Sequence, residues 1–247
     1  MNKKTSMGIT VTILLILLLA RFTYFAFILF RYDYLVLESV YLLLNYSLIT
    51  LVIRIHKSQL HMLNFDRNSM FLFILLGVTY AVFLYQSVGV LIFLMVIYNR
   101  YLLSQNLTFA KTELSLKSIL LGVLGVLVVL IYFWVQPDTL SYNGNIEIGS
   151  AILKANAPVV FFEEFIFRGI LWMALRKIKL SERWILLIQA ALFGLAHYYF
   201  YFHYPVFLFV VIPISGILFG AMVYRTKSIF LSLIFHFLFN IISNLLL

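Results

Sequence analysis

Apolar runs alternate with short polar breaks along the whole chain, and most runs are long enough to cross a hydrocarbon core of about 30 Å as helices. They cover residues 8 to 30, 34 to 53, 118 to 136, 155 to 175, 184 to 203, 206 to 224 and 229 to 246. The stretch from Met70 to Leu103 exceeds one span, and Gln86, Ser87 and Gly89 near its middle divide it into two short helices forming a hairpin. The pattern predicts an all-α fold, a polytopic transmembrane helical bundle of about eight to nine spans. The first run, preceded by Lys3 and Lys4, resembles a signal peptide, but no small-x-small cleavage site follows and the run continues past Arg21, which favours a retained helix.

Composition agrees with the pattern. Hydrophobic residues make up 64% and charged residues 11% of the 247 positions, too little polar surface to cover a water-soluble domain of this length. A bilayer accepts apolar surface on all sides, provided that backbone groups pair within helices. The net charge of +9 does not form a stripe or a basic tail, so nucleic acid is not an expected partner; the lipid bilayer is. Lys3 and Lys4, then Arg54, Lys57 and Arg67, then Arg100, Lys111 and Lys117, then Arg176, Lys177, Lys179 and Arg183, then Arg225 and Lys227 fall in every second break. This is the bias that orients spans, and it predicts a cytoplasmic N-terminus. The absence of cysteine removes disulfides, thiolate metal sites and cysteine nucleophiles.

Polar chemistry divides the chain into two parts, residues 1–150, whose helices have no assigned role, and residues 151–247, where ionisable groups enter the spans. An ionisable residue within a span is a functional hypothesis by default. In Phe161-Phe162-Glu163-Glu164-Phe165-Ile166-Phe167-Arg168-Gly169, adjacent helical residues point about 100° apart, whereas Glu164 and Arg168 share a face. Arg168 is expected to neutralise Glu164, leaving Glu163 to handle a proton.

Two further motifs follow, Phe193-Gly194-Leu195-Ala196-His197 and His236-Phe237-Leu238-Phe239-Asn240, the second with its imidazole and amide on one helical face. Counting about 1.5 Å per residue from the cytoplasmic end puts Glu163 and Asn240 at roughly 17 Å depth, His197 at about 20 Å and His236 at about 10 Å. Gly216 and Gly220 form a G-x-x-x-G spacing, read as helix packing. His56 and His61 lie in a basic loop and His203 at an aromatic interface, with no chemistry expected of them. Asp33 has no G-x-G-D partner, H-E-x-x-H is absent, and Ser215-Gly216 lacks the first glycine of the rhomboid serine motif.

The ordered set E-E-x-x-x-R, F-x-x-x-H and H-x-x-x-N resembles the CAAX prenyl protease and bacteriocin-processing family of intramembrane peptidases, also called CPBP or Abi. Glu163, Glu164 and Arg168, Phe193 and His197, and His236 and Asn240 carry the resemblance, which covers only the last four helices. It implies a membrane-embedded catalytic core in which Glu163 and His197 activate water and His236 and Asn240 stabilise the oxyanion. Glu164, Arg168 and Phe193 would support them.

Metal dependence is open at this point. Glu163, His197 and His236 are the donor types of a His₂Glu zinc site, and the same groups can run metal-free acid–base chemistry. The expected function is an intramembrane endopeptidase acting on a membrane-associated peptide or protein, with a bell-shaped pH profile. The low cysteine and high Phe, Leu, Ile, Tyr and Asn content suits a bacterial cell membrane and maturation of a secreted peptide, signalling peptide or bacteriocin. A non-catalytic self-immunity or regulatory protein on the same scaffold is the main alternative, and a proton-coupled transporter is the next.

Overall fold

A computed structural model of the chain describes residues 3–29, scattered positions between 44 and 69, 114–137, 157–198, 200 and 204–246. The predicted hairpin over 70–103, most of the span 34–53, and Asp33, His61 and His203 lie outside the described residues. Within them the protein is helical. The elements are α1 (Lys3–Leu29), α2 (Leu116–Val135), α3 (Ala157–Glu164), a π-helical segment (Phe165–Leu171), α4 (Trp172–Lys177), α5 (Glu182–Leu195), a second π-helical segment (Phe207–Val211), α6 (Ile212–Thr226) and α7 (Phe230–Leu246).

Helix α2 shows which solvent the fold expects. Its buried stripe is Ser118, Gly122, Gly125, Val129, Tyr132 and Phe133, a helical spacing of small and aromatic residues. Leu120, Val123, Leu124, Leu127, Ile131 and Trp134 are exposed on the rest of its surface. An apolar surface of that extent is stable against lipid or a partner and unstable against water. Among the described residues, Leu116–Val135 and Phe207–Thr226 are long and apolar enough to cross a membrane; the eight to nine spans expected from sequence are not established.

Small residues bring the helices together. A Cβ at Gly122 would sit 2.2 Å from the Phe235 ring of α7, and one at Gly125 would sit 2.6 Å from the Phe219 ring of α6. Gly216 lies against Ala190 and Phe193 of α5, and Gly220 against Leu186 and Gln189. The G-x-x-x-G spacing thus packs α6 on α5.

The expected span 184–203 needs correction. Helix α5 ends at Leu195 with Ala196 as its C-cap, and its fourteen residues reach only about 21 Å. His197 sits in the turn that follows, its N–H bonded to the Gly194 carbonyl. Continuous hydropathy made one run of a short helix and its exit turn.

Candidate active site

The first π-helical segment sits at the centre of the protein, with all seven of its residues buried. A π turn carries i→i+5 pairing and is uncommon outside functional sites. Directly before it, Glu163 and Glu164 are 2% and 0% exposed, and within it Arg168 is 0% exposed.

Glu164 is surrounded by donors. Arg168 Nη1 lies 3.0 Å from its Oε1, as the four-residue spacing predicts. The Ser232 hydroxyl donates to its Oε2, and His236 Nδ1 donates to Oε1 at 2.8 Å. Glu164 is therefore more than the scaffold partner of Arg168, because it also orients one of the two histidines. Arg168 is held in turn by the Phe193 ring, whose centroid is 4.3 Å from the guanidinium carbon, and its Nη2 donates to the Gly216 carbonyl at 3.5 Å. Gln189 Nε2 donates to the same carbonyl at 3.0 Å.

Glu163 faces two imidazoles. Its Oε2 is 3.4 Å from His236 Nε2 and 3.8 Å from His197 Nε2. The other nitrogen of each ring is already assigned by its partner. Phe193 O can only accept, so His197 Nδ1, 2.8 Å away, carries a proton. Glu164, fed by an arginine and a hydroxyl, is an acceptor, so His236 Nδ1 carries a proton too. In its neutral tautomer His197 then presents an Nε2 lone pair toward Glu163, whereas His236, beside Glu164, donates from Nε2 when it is the imidazolium.

Aromatic rings fix both imidazoles. Phe193 contacts His197 at 4.6 Å and His236 edge-on at 5.5 Å between centroids. Phe219 stacks on His236 at 5.5 Å, and Phe200 lies parallel to His197 at 6.4 Å. Asn240 lies one turn beyond His236 on α7, half-buried, on the stripe that also carries Ser232, His236 and Ser243.

The structure thus brings Glu163, Glu164, Arg168, Phe193, His197 and His236 together, while Asn240 is placed by the helix it shares with His236. The depth of about 10 Å expected of His236 would make it the outlier of the set, yet its ring lies closer to Glu163 than that of His197 does. Depth counting assumes that helices start at one level, and α5 stops short of a full span while α7 begins against the buried Asn64 carbonyl, 2.7 Å from the Ile229 N–H. Ser232 was missed from sequence, although it stands four residues before His236 and shares its face. His56 also departs from the solvated loop expected of it: it is 2% exposed and bonded to Thr10 of α1, with Lys177 Nζ 3.5 Å from Nδ1.

The donor set Glu163, His197 and His236 has zinc-compatible chemistry, and each Nδ1–H is tied to an acceptor as in many metal sites. Among the described residues, however, no group of three His, Cys, Asp or Glu converges as a metal-ligand set. No step below is routed through a metal.

Residues 150–242 match the family model described as Type II CAAX prenyl endopeptidase Rce1-like. The matched segment is shorter than half the chain and contains every member of the cluster. It bears out the resemblance of the three motifs to the CAAX protease family, and with the apolar helices it points to a membrane protein of protease type. Among curated proteins and among solved structures, nothing matches the chain significantly.

Proposed function

We propose that the chain is a CAAX-type intramembrane endopeptidase in which Glu163 is the general base and acid, acting on a peptide or protein held in the membrane. The observation that carries this reading is the convergence of two imidazole Nε2 atoms on one buried carboxylate oxygen, at 3.4 and 3.8 Å. Glu163 and the lone pair of His197 Nε2 are acceptors for the two hydrogens of a bound water, whose oxygen lone pair is left to attack.

Attack proceeds in that geometry. Water oxygen bonds to the scissile carbonyl carbon while Glu163 takes the proton, with His197 Nε2 aligning the other water hydrogen. Charge develops on the carbonyl oxygen. His236 enters the step already as the imidazolium, protonated on both nitrogens with Glu164 at 2.8 Å as its counter-charge, donates to that oxygen from Nε2 and keeps its proton throughout. Asn240 supplies the second donor. Collapse of the intermediate breaks the C–N bond, and Glu163 returns its proton to the leaving amine. A preorganised donor pair of this kind and a positioned base each contribute on the order of 10²- to 10⁴-fold.

The test uses the full chain in proteoliposomes with internally quenched peptides carrying either a C-terminal C-a-a-X sequence with a prenylated cysteine or an apolar anchor. Wild type is expected to cleave at least one of them, and Glu163→Gln and His197→Ala to lower turnover at least about 10²-fold with unchanged unfolding temperature. Variants that cleave as fast as wild type would remove both residues from the mechanism. Zinc chelation during the same assay reports directly on metal dependence.

A further inference from the structure

We infer that Asn64, from the otherwise unassigned N-terminal part of the chain, is a positioning residue of the buried site. It fixes the π-helical turn bearing Arg168 and the start of the helix bearing His236. The inference rests on reading the cluster as the peptidase centre.

Asn64 is fully buried and holds a left-handed backbone conformation, φ 55°, a region asparagine enters more readily than most residues. From there it makes three attachments to three elements. Its Nδ2 donates to the Arg168 carbonyl at 2.8 Å, its Oδ1 accepts from Arg176 Nη1 of α4 at 3.3 Å, and its own carbonyl accepts from the Ile229 N–H, one residue before α7, at 2.7 Å.

The neighbours of Asn64 are docked as closely. A Cβ at Gly169 would stand 3.1 Å from the Leu63 carbonyl, so the loop makes its close approach to the π turn at a position without a side chain. The Phe65 ring packs edge-on against Phe165 at 5.5 Å and Phe161 at 6.2 Å. Asp66 Oδ1 accepts from the Ser69 N–H and hydroxyl, and the Ser69 hydroxyl is 3.4 Å from that of Ser228. Leu63, Asn64, Phe65, Asp66 and Ser69 are thus held between the π turn and the turn that precedes α7.

A π turn differs from an α-helix by a one-residue slip in pairing. Anchoring one carbonyl inside the segment selects the register, and the register sets where Arg168 stands relative to Glu164. Glu164 in turn holds His236 Nδ1, and so aims Nε2 at Glu163. Asn64 touches none of the reacting groups and acts through Arg168, Glu164 and His236 in that order. Among the described residues, the charged or titratable groups facing His236 are Glu163 and Glu164, with Arg168 behind Glu164 and His197 across Glu163.

Asn64→Asp keeps the size, the left-handed turn and the acceptor for Arg176, and replaces the donor to the Arg168 carbonyl by a charged acceptor that repels it. Asn64→Gly keeps the turn and removes both side-chain bonds. The experiment is nitrogen-15 NMR of the full chain in detergent micelles with labelled histidine, the His236 signals being those lost in His236→Gln. Both variants are expected to shift the His236 ring resonances and to lower turnover of the anchored peptide roughly 10- to 100-fold with KM within about twofold.

Folded variants whose His236 resonances stay at the wild-type positions overturn the inference, leaving Asn64 a purely structural residue. If neither variant folds, Gly169→Ala displaces the Leu63 carbonyl, and with it the Asn64 backbone, while keeping the Asn64 side chain, and must give the same His236 shift; its absence overturns the inference equally. Wild-type His236 lacking a protonated Nδ1 would overturn the reading of the site itself, and this inference with it.

Discussion

Glu163 and Glu164 are neighbours in the chain, yet they sit in two chemically different regions of one cluster. On the Glu164 side an arginine, a hydroxyl and an imidazole N–H surround the carboxylate. On the Glu163 side the nearest ring nitrogens are two Nε2 atoms whose partner nitrogens are already protonated. The first region stores charge in a fixed arrangement, and the second has room to exchange a proton. Two carboxylates given different environments can hold different roles, and a helical step of about 100° is enough to separate them.

The largest expected effect comes from exchanging these roles. Glu163→Gln should abolish cleavage of the anchored peptides, with a loss of about 10³-fold or more, and leave the unfolding temperature in micelles near that of wild type. Arg168→Met should do the reverse in emphasis. It leaves Glu164 buried beside a thioether, and removing one partner of a buried ion pair destabilises by about 3–5 kcal/mol. Thermal unfolding of the two variants side by side is the decisive measurement. If Glu163→Gln unfolds as easily as Arg168→Met, the two regions are not distinct.

Much of this contrast was legible in the sequence. Helical spacing alone separated Glu164 from Glu163 and paired it with Arg168, and three spaced motifs named the residues that meet. The sequence did not show that Glu164 also holds His236, because nothing in a linear pattern tells which of two histidines lies nearer to which carboxylate. Nor did it show the π turn, whose composition is that of an ordinary apolar helix. Asn64 stayed invisible for another reason: it stands in a polar stretch 104 residues from the carbonyl it binds, and a loop asparagine carries no periodicity. The fold class followed from hydropathy, whereas helix ends did not, since the turn after Leu195 is as apolar as the helix before it.

A smaller effect should follow from crowding the aromatic contact between the cluster and α2. Gly125→Ala places a methyl group 2.6 Å from the Phe219 ring, and that ring stacks on His236. Overpacking of this kind costs about 1–3 kcal/mol. If the strain is relieved by moving Phe219, turnover should fall as well, through the displaced imidazole. Gly122→Ala, which meets Phe235 instead, is the matched control and should lower stability with less effect on turnover. Equal effects on turnover would mean that the site tolerates a shifted Phe219.

The smallest effect belongs to a third carboxylate, Glu182, which lies at the start of α5 and outside the buried cluster. Its Oε1 accepts from Arg176 Nε at 2.7 Å and its Oε2 from Trp172 Nε1 at 2.8 Å. Partial burial pushes this carboxyl up, but the hydrogen bonds of Arg176 and Trp172 and the charges of Arg176 and Lys227 outweigh it and hold it below its usual value of 4.5. A group lowered in the folded state stabilises above its unfolded value, and that contribution disappears as pH falls through the folded value. At pH 7, Glu182→Gln should therefore lose about 0.5–1 kcal/mol, the range of a partly exposed pair. Wild type and variant should converge as pH falls below about 4.5. The glutamine can still accept from Trp172, so a difference that persists at low pH would place the stabilisation in packing instead of charge. Arg176 also donates to Asn64, which makes this pair the water-facing end of the chain of contacts that reaches Arg168.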